Sequence, residues 1–189
     1  QMNISQDGTF PEASWESYSE TFSVDLSGAD GTKTVSVKVR DAAGNISAVD
    51  SDTINVDTTA PIVSSLLLNG GKGATNEDTI SITVIGSDTL GASGVENYRY
   101  RIEDGTWSVW DVLTDGSATI SNFTHGASLG ETVVMEAQVT DIAGNISEIS
   151  NSTIVFEENA PSITDVNWDD EAFYPFDGTI LRIQFDEEM

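Results

Sequence analysis

The sequence predicts an all-β chain organised as two-sheet sandwiches of about 100 residues each. Three observations carry this expectation. Apolar residues alternate with polar ones over short runs, the pattern of half-buried antiparallel strands. Ser and Thr are abundant, Lys is scarce and long helical stretches are missing, a profile that suits strands and turns. Finally, "DAAGNIS" at 41–47 returns almost unchanged as "DIAGNIS" at 141–147. That period is too long for a small solenoid unit and has the size of a sandwich domain.

Along the chain, "TVSVKVRD" is the first clear strand. Val35, Val37 and Val39 face one way, while Ser36, Lys38 and Arg40 face the other. "NISAVDSDTINV" follows as the next strand. Between them, Asp41, Gly44 and Asn45 have tight-turn chemistry: Gly and Asn tolerate positive φ, and an Asp ahead of them bonds turn amides. Hairpins are therefore expected at 41–45 and 141–145. The copies align without a gap through Thr53-Ile54 with Thr153-Ile154 and Ala60-Pro61 with Ala160-Pro161. Residues 1–60 then read as the C-terminal part of one repeat, 61–160 as a complete repeat, and 161–189 as the N-terminal strands of a further one. Strands of the complete repeat are expected near 62–68, 79–85, 96–103, 109–113, 117–123, 131–140 and 147–156. In "SGVENYRYRIEDGTWSVW", Tyr98, Tyr100 and Ile102 alternate with Arg99 and Arg101. Trp107 and Trp110 follow a "DG" turn and are expected to pack between the sheets. "SITDVNW" and "GTILRIQF" supply the candidate strands of 161–189. The fold class is thus tandem immunoglobulin-like β-sandwiches.

Charge limits the partners. With 32 acidic and 7 basic side chains the net charge is −25, which repels nucleic acid and anionic lipid, because both need a cationic partner. A solvated acidic surface is the ordinary reading, and cations are the ligands such a surface attracts. Disorder is the other meaning of high acidity, but 38% hydrophobic residues in alternating runs favour a core. Cysteine is absent, which excludes disulfides, thiolate zinc sites and a cysteine nucleophile. The first twenty residues lack the basic start and apolar stretch of a signal peptide. No run has the length of a membrane span. A secretion signal or anchor, if one exists, lies outside this sequence.

The segments "SGVENYRYRIEDGTWSVW", "VTDIAGNIS" and "INVDTTAP" resemble the bacterial Ig-like repeats of large secreted surface proteins. Such repeats occur in giant adhesins, S-layer proteins and multidomain extracellular enzymes. The likeness covers 61–160 throughout and 1–60 in part. "DGTILRIQFDEEM" resembles the opening strands of a related Ig-like class of S-layer proteins. The second junction departs from the pattern, reading "FEENAP" where the first reads "VDTTAP". The resemblance implies an extracellular or cell-surface location and a mechanical role.

Catalysis finds little support, and no catalytic residue is expected. His125, the only histidine, sits in the turn-like "NFTHGASLG" and is expected to be exposed, with no triad pattern around it. A Lys–Asn isopeptide bond needs a buried lysine, and Lys33, Lys38 and Lys72 are poor candidates. Sequons stand at Asn3, Asn45, Asn122, Asn145 and Asn151. Calcium is the best chemical candidate, although no EF-hand loop is present. In an Ig-type sandwich, the loop between the last two strands and the loop after the second strand lie at the end where the chain enters. Asp141 and Asn145, with Asp88, should therefore gather beside the preceding linker, which brings Asp57. A Ca2+ ion held there would neutralise repulsion and stiffen the hinge.

The expected function is a non-catalytic extracellular structural or adhesive segment of a bacterial surface or filament protein. Expected partners are neighbouring Ig-like repeats, in the same chain or in adjacent subunits, and a surface glycan or host receptor. One alternative is a carbohydrate-binding module using Trp107 or Trp110. Another is an accessory repeat of a multidomain extracellular enzyme. For the partial repeats two explanations stand side by side. Neighbouring sequence in a longer polypeptide completes them, which is the first expectation. Otherwise residues 161–189 of one molecule complete the first unit of the next.

Overall fold

A computed structural model describes residues 1–89 and 93–157, together with the strands 163–167 and 182–185. The chain is all-β. In the N-terminal unit, β1 (Met2–Ser5), β2 (Gly31–Val39) and β3 (Asp50–Val56) form an antiparallel sheet in that order. The alternation of "TVSVKV" sets its faces: β2 pairs Val37 with Ile4 on one side and with Asp50 on the other. The opposite face is covered by residues 10–15, where the Lys38 ammonium lies over Phe10 and the Arg40 guanidinium over Trp15.

The following residues build a two-layer sandwich. One layer is β4 (Ile62–Leu68), β6 (Thr79–Ser87) and β9 (Ser117–Thr124), ordered β4-β6-β9. The other contains β5 (Ala74–Thr75), β7 (Val95–Ile102), β8 (Asp111–Val112), β10 (Thr132–Asp141) and β11 (Ser150–Phe156), ordered β5-β11-β10-β7-β8. Alternate residues of each layer meet in a dry core. Leu66, Leu68, Ile80, Ile82 and Val84 pack against Tyr98, Met135, Ala137, Val139 and Ile154. β5 was not expected. After β4 the chain turns at Asn69-Gly70-Gly71 and changes layers, and β5 runs parallel to β11 along its edge. This short strand pairs with the C-terminal end of β11 at Val155 and Phe156.

Three details differ from the expected strands. β8 spans two residues rather than 109–113, because the Ser108 hydroxyl accepts the Tyr100 amide and so replaces a ladder carbonyl. β11 begins at Ser150 rather than 147, because the Ser147 hydroxyl accepts the Val139 amide (3.0 Å) and donates to Glu148 O. Ser47 does the same for Val39 and Ala48, which explains why Ser closes both copies of the motif. Trp107 and Trp110 do not lie between the sheets. They are half-buried on the outer face of β7, with Arg99 over both indoles and Arg101 over Trp107.

Beyond the sandwich, β12 (Ile163–Asn167) and β13 (Arg182–Phe185) pair antiparallel. The remaining residues of "SITDVNW" and "GTILRIQF", most of the "FEENAP" junction, and 90–92 of the "GSDTLGASG" loop lie outside the described residues.

Candidate metal centre at the linker

The site starts from a hairpin. Asp141 ends β10, and Thr140 and Ile146 bridge across the turn. The Asp141 N–H donates to Asn145 O and the Gly144 N–H to Asp141 O. Gly144 sits at φ 95°, a region that a Cβ disfavours. The Asp141 carboxylate closes the ring, accepting the Asn145 N–H on Oδ1 and the Asn145 side-chain amide on Oδ2, each at 2.8 Å. Asp41 and Asn45 make the same two bonds at the same distances, with Gly44 at φ 91°. The two stretches are thus equivalent tight turns, as expected from the shared motif.

Around the second turn three carboxylates converge. Asp57 of the linker, Asp88 after β6 and Asp141 each offer an oxygen within 4.8 Å of the others. Asp141 is only 1% exposed, while Asp57 and Asp88 are half-buried. The topology brings them together: β6 and β10 end at one end of the sandwich, and the linker enters β4 there. Backbone donors hold the group in place. Ser93 and Thr59 N–H donate to Asp57, and Thr89 and Gly94 N–H to Asp88. Among the described residues no Lys or Arg forms an ion pair with any of the three. Hydrogen bonds from Ser93, then Thr59, hold the Asp57 carboxyl below the usual carboxylate range, partly opposed by burial and then by the nearby negative Asp30.

Asn145 plays a different part from the one expected. Its side-chain amide nitrogen, rather than its oxygen, is directed at Asp141 Oδ2, Asp57 O (3.1 Å) and Thr59 O (3.4 Å), an orientation assigned from the bonding network. It therefore fastens the linker to the turn and positions Asp141. On the linker's other side, the Asp30 carboxylate accepts the Thr58 N–H and the Thr58 and Thr59 hydroxyls. These bonds, Thr58 first, keep the Asp30 carboxyl below its ordinary value. Sequence reading missed Asp30, Thr59 and Ser93. The available signal was the Thr-Thr pair that follows Asp57 in "VDTTAP".

A profile of the bacterial Ig-like domain matches residues 55–158, taking in the linker, the whole sandwich and all three aspartates. The chain belongs to the bacterial Ig-like domain family. No match was found among curated proteins. Bacterial Ig-like domains are generally non-catalytic and are common in surface and extracellular proteins, so membership points to a structural or adhesive module. Among the described residues no helix is long and apolar enough to cross a membrane.

Other candidate positions of this bacterial Ig-like chain resolve as follows. His125 is buried rather than exposed, at 6%. Its Nδ1 accepts the Ala127 N–H, its Nε2 lies 2.9 Å from Glu77 O, and its ring tilts against Phe156, so it is a packed core-edge side chain. Arg99 lies over both indoles and is further anchored by Gln138 Oε1, so a guanidinium already occupies one face of Trp107 and of Trp110. Of the sequons, Asn3 is buried and Asn145 is engaged with the linker, whereas Asn122 and Asn151 are exposed.

Proposed function

We propose that this chain is a non-catalytic spacer of a bacterial surface or secreted assembly. Its linker is stiffened when a calcium ion joins Asp57, Asp88 and Asp141. The observation supporting this is the meeting of the three carboxylates within 4.8 Å, one of them buried, without a basic partner among the described residues. Calcium takes carboxylate oxygens in flexible, high-coordination shells, and extracellular modules bind it weakly, at roughly 10⁻⁴–10⁻³ M. Asp57 belongs to the linker, whereas Asp88 and Asp141 belong to the sandwich, so one ion would tie the two. Asn145 and Asp30 would hold the linker backbone in position for it.

The test is calorimetric titration of the full chain with CaCl2 beside Asp88→Asn and Asp141→Asn, with melting curves in calcium and in chelator. Expected are binding in the range given above, a raised Tm, and loss of both in the variants. A titration without heat and a Tm indifferent to calcium would overturn the calcium reading and leave a spacer held by hydrogen bonds alone.

A further inference from the structure

His125 lies at the end of the sandwich opposite the three aspartates. It follows directly on β9, and its backbone N–H donates to Asp78 O beyond the last β6–β9 pair, Thr79 with Thr124. Its ring joins three segments. Nε2 lies 2.9 Å from Glu77 O in the loop before β6, and Nδ1 lies 3.1 Å from Ala127 N in the loop 125–131. The ring tilts against Phe156 of β11, with 4.9 Å between centroids. Backbone bonds lace the same segments together. The Gly130 N–H donates to Phe156 O, the Phe156 N–H to Glu131 O and the Glu157 N–H to Thr75 O.

The two ring bonds fix the protonation state. A backbone carbonyl only accepts and a backbone N–H only donates. Nε2 therefore carries the hydrogen that meets Glu77 O, and Nδ1 is bare toward the Ala127 N–H. Only the neutral Nε2–H tautomer satisfies both partners. The imidazolium carries hydrogen on both nitrogens, so its Nδ1–H would stand against the Ala127 N–H with no acceptor. Turning the ring over puts a carbon where each nitrogen was and loses both bonds. A buried charged donor without a partner is strongly unfavourable, so the protonated ring has no place in this seat.

The surrounding charges act on a released ring rather than a seated one. The segments packed against His125 carry Glu77 and Asp78 before β6, Glu131 in the loop and Glu157 after β11, and residues 74–81, 117–131 and 150–157 contain no Lys or Arg. All four acidic residues are exposed. Glu77 meets the ring through its backbone carbonyl, and the Glu131 carboxylate already accepts the Ser128 N–H. Among the described residues none of the four forms an ion pair with His125. An imidazolium that swings into solvent would find their negative field there.

We propose that His125 is an acid-released latch on this end of the sandwich. Neutral, it ties the loop before β6 and the loop 125–131 to the end of β11. On taking a proton at Nδ1 it leaves its seat, and the two loops open together. The core of Leu68, Ile82, Met135, Val139 and Ile154 is built without the histidine, so the two sheets stay packed. Phe156, buried against the imidazole in the closed form, is the apolar side chain that the open form uncovers. The device does not depend on a cation at Asp57, Asp88 and Asp141.

Two measurements on the full chain in chelator test the latch. Imidazole nitrogen NMR, read on the single histidine, should show the Nε2–H tautomer near neutral pH. Amide exchange by mass spectrometry, corrected for the intrinsic pH dependence, should show peptides covering 75–78 and 125–131 opening as the solution is acidified, while β10 peptides hold. A free imidazole titrates near pH 6.5, so an opening that takes up one proton should become roughly 20-fold more favourable from about pH 7 to about pH 5, above the range where free carboxylates titrate. His125→Gln keeps a donor toward Glu77 and cannot take a proton. Whatever its protection near neutral pH, its two loops should show no such rise. An Nδ1–H tautomer, a wild-type ring that gains its proton while both loops keep their protection, or a His125→Gln chain with the wild-type pH dependence would each overturn the proposal.

Discussion

Ile54 and Ile154 offer a controlled comparison, being the same residue, in the same register, in strands of the same direction. Truncation to Ala removes three carbons from each. At Ile154, fully buried beneath β4, the transfer loss is about 0.8 kcal/mol per carbon, or roughly 2.4 kcal/mol. The cavity left in a packed core raises the total to about 3–4 kcal/mol. At Ile54, with 56% of the residue already in water, less than half of the transfer term applies and solvent fills the space, so the loss is about 1 kcal/mol or less. Reduced strand propensity affects both variants alike and cancels in the comparison. Amide exchange read by mass spectrometry separates the two effects, with peptides from β10 reporting on Ile154→Ala and peptides from β2 on Ile54→Ala. Expected is a protection loss in β10 larger by about 2–3 kcal/mol than that in β2. Equal losses would refute the reasoning, since the difference rests on what covers the two faces and on nothing in the local sequence.

Other outcomes follow from the same geometry. Gly86→Ala places a Cβ 3.1 Å from Val95, 3.3 Å from Val139 and 3.4 Å from Leu113, and the overpacking should cost about 1–3 kcal/mol in denaturant unfolding. Arg99→Ala removes the cation over both Trp107 and Trp110. It should destabilise the chain by about 1 kcal/mol and change indole fluorescence, whereas Lys72→Ala should leave the fluorescence as it is. Asp57 is held below its ordinary pKa by Ser93 and Thr59, so it contributes stability that is complete above the unfolded pKa and is lost as pH falls through the folded one. Without calcium, the Ser93 amide resonance should therefore titrate with a midpoint below the ordinary carboxylate value. A midpoint at or above that value would contradict the hydrogen-bonded carboxylate.

Much of the sandwich was legible in one dimension because period-2 alternation maps directly onto faces. β4 lies where the apolar run placed it, and β6, β7, β9 and β10 lie within a few residues of their expected spans. The hairpin motif was legible as turn chemistry, and three of the four residues assigned to a cation meet beside it. Asn145 was misread because an amide carries both an acceptor and a donor at one position, and only the surroundings decide which end faces the carboxylates. His125 was misread because Gly-rich flanks signal a loop, whereas the partners that bury it, Glu77 and Phe156, are distant in sequence. The tryptophans were placed in the core on the usual behaviour of indoles. The arginines opposite them made the outer face the better site, which no local pattern encodes.

By itself, the sequence determined strand character, turn positions, the acidic surface and the repetition of one half-sandwich in the N-terminal sheet, because each depends on neighbours within a few residues or on comparison at a fixed offset. Tertiary structure decided which of two near-identical faces is covered. Val35 and Val37 alternate as clearly as Met135 and Ala137, yet only the second pair lies under Leu66 and Leu68. Alternation states that a face is apolar. Burial is a property of the pair of surfaces, and the second surface has to come from elsewhere in the chain or from another molecule.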